Sequence, residues 1–375
     1  KLFFAALLIA SATSRLHAQR TTESLNFGWN FHRGNADISN INVNDGTWQT
    51  VDVPHDFQIS QDWVPPSADE KENNSDGASN FKSRLSARGF KEMGDGWYVK
   101  TITPAESLKG KRVLLDFEGI MYVGDVYLNG KRIGGTDYGY LGFVIDISKL
   151  LHYGQPNTIA VHASTSGPMN SRWYTGGGLF RDINLITTPA DIYFARHPLF
   201  VTTRDNHLVD LQIEVANYTK RNDIKLRTTI ADQQGNIVYD KTADMHFNRK
   251  MRTNELKWET IDIAEPKLWS CETPHLYTAT VTILDDNGNE TDRTSTRFGI
   301  RTIEIGPDFG LKVNGKKVLL KGIANHHTLG ALGAAAYPRA MEKRIQMLRD
   351  FGFNHIRTSH NPYSTSFLDL CDQYG

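Results

Sequence analysis

The chain is poor in cysteine: among 375 residues only Cys271 and Cys371 occur. Two thiols so far apart in sequence cannot build the disulfide framework that staples small secreted folds. Cys371 falls on the apolar face of a helical pattern, where it reads as a small buried residue rather than a nucleophile. Excess charge of one sign is also missing. Lys plus Arg and Asp plus Glu each number 42, a formal net charge of zero. That balance excludes a broad basic nucleic-acid face and a polybasic membrane arm, and leaves room for a local charged cleft. Long apolar runs are absent as well. The run at residues 2–10 is too short to span a bilayer. From residue 20 to about residue 300 no long stretch has the helical period, and no low-complexity tract or solenoid repeat interrupts it.

What is present begins with a secretory pattern. "KLFFAALLIASATSRLHAQR" carries a Lys, an apolar run and small residues up to Ala18. That order is expected of a signal peptide over residues 1–18, and hence of a secreted or periplasmic protein. The remaining length exceeds one core, so two or three domains are expected. Short β-branched and aromatic runs such as "LLDFEGI", "GDVYLNGKRIGG" and "NTIAVHAS" are broken by Gly and Asn-Gly. They predict antiparallel sandwiches or barrels, with a two-residue hairpin at Asn129-Gly130. Residues 65–96 are polar, and two readings stand: a long specificity-bearing surface loop or a disordered insertion. Near residue 190 a second alternating series begins, which fits an immunoglobulin-like sandwich.

From about residue 304 the period changes. "KKVLLKGIANH" reads as a strand, "PRAMEKRIQMLRDFGF" as a helix with Met341, Ile345, Leu348 and Phe351 on one face, "NHIRTSH" as a strand and "SFLDLCDQYG" as a helix. This β-α-β-α order predicts a parallel sheet, the opening of a (β/α)₈ barrel that needs about 250 residues in full. Polar residues gather where each predicted strand ends, which is the catalytic rim of such barrels. The first end offers Asn325, His326, His327 and Thr328; the second offers Arg357, Thr358, Ser359, His360 and Asn361. Strand parity points His327 into the barrel and His326 outward. A metal site lacks the H-x-H or H-E-x-x-H spacing, and Ser359 lacks a G-x-S-x-G elbow. Asn, His and Arg together are donors suited to sugar hydroxyls and to an aimed carboxylate.

"NHIRTSHNPYSTSFLDLCDQYG", "WQTVDVPHDF", "FEGIMYVGDVYLNGKRIGG", "SRWYTGGGLFRDI", "RFGIRTIEI" and "LKGIANHHTLGALG" occur in one order along the chain. In that order the chain resembles glycoside hydrolase family 2, the β-galactosidase, β-glucuronidase and β-mannosidase group. The resemblance implies an all-β jelly-roll sugar-binding domain over 19–190, an immunoglobulin-like β-sandwich over 191–303, and the truncated start of a TIM barrel over 304–375. It implies hydrolysis of terminal β-glycosidic bonds by a retaining mechanism with two glutamates that lie beyond residue 375, so that this stretch alone is inactive. It implies that Arg357 holds the nucleophile carboxylate, that His327 and His360 contact the glycone, that Asn325 belongs to the same shell, and that Asn170 and Arg172 reach toward the sugar. Trp173, Gly178 and Arg181 are implied to be framework. Thr328 departs from a position that is commonly acidic in the family. The implied partner is a glycoside or oligosaccharide, with no cofactor, metal, nucleic acid or membrane span; a homo-oligomer is left open. The rival class is a non-catalytic carbohydrate-binding protein of the same architecture.

The leader pattern has a direct check. N-terminal sequencing of the exported protein should start near Gln19; a soluble cytoplasmic form that retains residues 1–18 would overturn the export reading.

Overall fold

The computed structural model describes residues 20–65, 89–166, 173–247 and 254–375. The expected signal peptide, most of the 65–96 segment, and both Asn170 and Arg172 lie outside the described residues.

Two antiparallel sheets face each other in the first sandwich. One has four strands in the order Thr21–Ser24, Ile183–Thr188, Arg112–Phe117, Phe143–Asp146. The other has six: Gln49–Val51, Trp29–Arg33, Asp95–Ile102, Asn157–Ser164, Val123–Leu128, Lys131–Thr136. Alternation along each strand sends one set of side chains inward. Val113, Leu115 and Phe117 of one sheet thus meet Val126, Leu128, Ile159 and Val161 of the other in a single core. The hairpin expected at Asn129-Gly130 is present, with φ of 50° and 79° and Leu128 paired to Lys131. Both turn residues need positive φ, which Asn and Gly supply.

The second sandwich stacks a three-stranded sheet (Ile192–Arg204, Leu208–Asn217, Asn254–Asp262) on a four-stranded one (Ile237–His246, Asp223–Ala231, Tyr277–Leu284, Glu290–Phe298). Leu211, Ile213 and Val215 face Ile224, Leu226, Val281 and Ile283 across its core. Its two Gly turns are built alike. Asp232 Oδ1 accepts from the N–H groups of Gln234 and Asn236, and Asp285 Oδ1 from those of Asn287 and Asn289.

The two sandwiches are joined through charge. Asp292, fully buried, accepts from Arg20 Nε at 3.1 Å, from the Phe194 N–H at 2.8 Å and from the Arg293 N–H at 2.9 Å. Arg112 lies over the rings of Tyr193 and Tyr218 at 4.9 and 4.4 Å. On the outer face of the four-stranded sheet Leu114 packs with Tyr193 and Ala216.

The parallel unit follows a small hairpin sheet, Ile303–Gly306, Gly310–Val313 and Lys316–Lys317. Strand Gly322–Asn325 pairs in parallel with strand His355–Thr358, Asn325 opposite Thr358. Helices Pro338–Asp350 and Thr365–Tyr374 cover them, and Met341, Ile345 and Phe367 form the buried contact. Pro338 occupies the first helical position, and Ser364 caps the second helix through the Phe367 N–H. The architecture is therefore the expected one: two sandwiches and the opening of a β/α barrel.

Two local expectations shift. The run "KKVLLKGIANH" is not one strand. Asn354 takes the backbone of its middle: its Oδ1 accepts from the Lys321 N–H at 2.8 Å and its Nδ2 donates to the Leu319 carbonyl at 3.1 Å. The ladder starts only at Gly322, and Leu319 and Leu320 stand exposed. Phe351 is likewise exposed, because the helix ends at Asp350 and Gly352 turns the chain at φ 83°.

Asp292→Ala removes the acceptor from several buried donors at once. It should lower unfolding stability by about 3 kcal/mol, read by denaturant melts; a loss under about 0.5 kcal/mol, the range of an ordinary surface change, would show that the carboxylate is dispensable to the joint.

Candidate active site

A parallel pair delivers two loops to the same end. Just past Asn325 and Thr358 the backbones stay bonded: the Ser359 N–H donates to the Asn325 carbonyl at 2.7 Å, and the Tyr363 hydroxyl donates to that same carbonyl. His326 Nδ1 lies 3.0 Å from the Ser359 carbonyl. A carbonyl only accepts, so this nitrogen carries the proton and Nε2 is left as an acceptor in the neutral ring. Arg357 and His360 are both exposed, with Arg357 Nη2 donating to His360 Nδ1 at 3.3 Å. The remaining guanidinium donors bond to no carboxylate among the described residues.

The first sandwich closes the other side. The Trp173 ring stacks on His326 with centroids 4.9 Å apart and lies 5.1 Å from His360. Its Nε1 reaches the Tyr140 hydroxyl at 3.4 Å. The Tyr138 hydroxyl donates to Asn361 Oδ1 at 2.9 Å. Arg181 is buried; it donates to the Tyr140 carbonyl at 2.9 Å and to the Pro362 carbonyl at 2.6 Å. The loop carrying His360 and Asn361 is thereby tied to the sandwich.

Beneath this wall sits Asp56. Its carboxylate accepts from the Gln58 N–H at 3.0 Å, the Gly177 N–H at 2.9 Å, the Tyr174 hydroxyl at 2.8 Å and the Ala334 N–H at 2.7 Å. Burial raises its pKa while these four bonds pull it back down. Two glycines make the approach feasible. A Cβ on Gly176 or on Gly333, at φ 75° and 61°, would fall 2.6 or 2.2 Å from Asp56 Oδ2.

The expected site residues divide. Asn325, Arg357 and His360 do reach this end of the sheet. Asn325 Nδ2 is buried with no hydrogen-bond partner among the described residues. His327 does not join them. The strand stops at Asn325, so alternation no longer governs the next residues. The chain bends at His327 and drives the ring into the junction with the first sandwich. There Nε2 donates to the Thr175 carbonyl at 3.1 Å, between the rings of Tyr140 and Phe180. His326, read as facing outward, takes the place assigned to His327. Trp173, read as framework, touches both site imidazoles; the aromatic in "SRWYTGGG" beside its Gly run was the available signal. The Thr328 carbonyl accepts from Arg344. Among the described residues no group of three or more His, Cys, Asp and Glu is placed to hold a metal ion.

Burial pushes the His327 pKa down to about 4, against a modest opposing pull from its bond to Thr175. Burial likewise pushes His55 down to about 4. The unfolded chain takes up these protons near pH 6.5. Between pH 6.5 and about 4 the unfolded state therefore binds more protons, and stability falls as the pH drops, by at most about 1.4 kcal/mol per pH unit for each histidine. Asp56, with its pKa raised, opposes this slope in the carboxylate range. His327→Gln keeps a donor for Thr175 and removes one titration. Its Tm should change less with pH over that interval than that of the wild type; parallel profiles would overturn the assignment.

Comparison with known proteins matches this layout. The galactose-binding domain-like model of glycosyl hydrolase 2 matches residues 86–172, the glycosyl hydrolases family 2 model residues 195–301, and that family's TIM barrel domain residues 307–375. The chain is 30% identical over 372 residues to β-galactosidase BoGH2A of Bacteroides ovatus, which covers 98% of this chain and 42% of that protein. It is 28% identical to a β-glucuronidase of Bacteroides fragilis, over 96% of this chain and 49% of that protein. A glycosyl hydrolase family 2 member from Bacteroides cellulosilyticus superposes with a TM-score of 0.81 at 32% identity, over 94% of this chain and 46% of that one. A β-glycosidase from Bacteroides vulgatus gives 0.79 at 30% identity, over 95% and 43%. The chain thus spans less than half the length of these proteins. Three domain types of one family, matched in succession along most of the sequence, mean that the chain belongs to glycosyl hydrolases family 2.

Proposed function

We propose that this chain builds the glycone-facing wall of a secreted or periplasmic β-glycosidase that cleaves terminal, non-reducing β-galactosides. The observation that carries this reading is the meeting of His326, His360 and Arg357 at one end of two adjacent parallel strands. His326 presents Nε2 as an acceptor and His360 presents Nε2–H as a donor, a pair that suits the hydroxyls of a neutral sugar. The guanidinium, bonded only to His360 among the described residues, has a fork ready for a carboxylate.

In this reading the reaction is a double displacement. One carboxylate attacks the anomeric carbon while a second, protonated carboxyl group gives its proton to the leaving oxygen; the same group, now ionised, takes a proton from the water that releases the sugar with configuration retained. In this reading no acidic residue of this chain is assigned either part, and no carboxylate among the described residues bonds Arg357. Arg357 keeps the nucleophile ionised and aimed. A second reading, cleavage of β-glucuronides, is favoured by the relatives named β-glucuronidase.

The test is a panel of nitrophenyl β-glycosides with the full-length enzyme. Galactoside should be turned over fastest; preference for the glucuronide selects the second reading, and no turnover on any member leaves the sugar-binding class. Arg357→Lys keeps charge and loses the fork. In the enzyme it should lower kcat by about tenfold or more, 1.4 kcal/mol of barrel-rim positioning, with a smaller change in KM. An unchanged kcat would remove Arg357 from the mechanism.

A further inference from the structure

We propose that Trp173 is a positioning residue: one indole from the first sandwich orients the two imidazoles that the two barrel strands present. The inference rests on the reading of this site as a glycosidase wall, and it assigns to the sandwich a part in aligning the reacting groups.

The contacts form a chain. His326 is held on one side by its Nδ1–H bond to Ser359 and on its face by Trp173, with ring planes 19° apart. His360 has fewer anchors. It meets Arg357 through one long bond, the edge of His326 at 5.7 Å, and Trp173 at 5.1 Å. Arg357 is itself exposed and cannot fix its neighbour. The half-buried indole is thus the rigid body against which His360 rests, and through His360 it sets the direction of the Arg357 guanidinium. Trp173 is anchored in turn. Its N–H reaches Tyr140, which is buried and whose carbonyl is held by Arg181, and Arg181 also grips Pro362 just beyond His360. Sandwich and barrel loop therefore share one frame. Flat aromatic faces suit this task, because they restrict a neighbouring ring without competing for its hydrogen bonds.

The experiment has two arms. In this chain, ring ¹H–¹⁵N correlations of the histidines are recorded for wild type, Trp173→Phe and Trp173→Ala. In the full-length enzyme carrying the same changes, kcat and KM are measured on whichever nitrophenyl β-glycoside the wild type cleaves. Trp173→Ala should move the His326 and His360 signals and leave buried His327 in place. It should lower kcat by about tenfold to a hundredfold with little change in KM, as misplacement of reacting groups does. Trp173→Phe keeps an aromatic face and should restore kcat to within about threefold of wild type. Unmoved His326 and His360 signals, or a Phe variant no better than Ala, would overturn the proposal. If Ala also displaces His327, Tyr140→Phe replaces it; that change removes only the acceptor of the indole N–H, should shift the two site imidazoles alone, and refutes the proposal if it does not. An enzyme inactive on every glycoside defeats the functional reading, while the histidine signals still decide what Trp173 does.

Discussion

The arrangement hangs on the carboxylate of Asp56. A buried charge is costly unless its lone pairs are met. Here four donors from three separate segments meet them: the turn that holds Asp56, the strap 174–177, and the loop after the first barrel strand. No one segment could supply that set. The carboxylate is stable inside the protein only when sandwich, strap and barrel loop sit in one relative position. Trp173 immediately precedes the strap, and His326 and His327 precede the barrel loop, so the same bonds determine which imidazole meets the indole.

The two architectures divide the chemistry. The parallel strands end in polar groups, since their carboxyl ends open toward loops that need not be buried. The sandwich contributes aromatic surface: exposed Tyr138 and half-buried Trp173 stand at the rim, and buried Tyr140 backs both. In the proposed reading this composition complements a sugar, which presents both hydroxyls and an apolar ring face. The barrel side alone would offer Arg357 at a strand end and His360 on the loop after it, both exposed, with one long bond between them.

Asp292 repeats the same device at the other joint. It gathers Arg20, Phe194 and Arg293 around one buried carboxylate, as Asp56 gathers its four donors. Each joint is thus specified by polar satisfaction and then filled by apolar contact, Leu114 with Tyr193 and Ala216 at one, His327 with Tyr140 and Phe180 at the other. Apolar surfaces alone tolerate sliding; directional bonds to a buried charge do not.

Much of this was legible in the residues themselves. Alternation at period two, the Asn129-Gly130 turn, and the spacing of Met341 and Ile345 are local properties, and each determined its own element. The clustering of Asn325, Arg357 and His360 was equally readable, because residues at the ends of paired parallel strands must converge. Which of two adjacent histidines enters the site was not. Parity assigns side chains only while the strand lasts, and this strand stops at Asn325, one residue before the pair. Beyond it the orientation depends on the Thr175 carbonyl and the Tyr140 ring, far away in sequence. The break in "KKVLLKGIANH" has the same origin, a side chain at Asn354 that claims the backbone of another segment. Local periodicity settled the elements; contacts between distant segments, made directional by buried hydrogen bonds, decided the site.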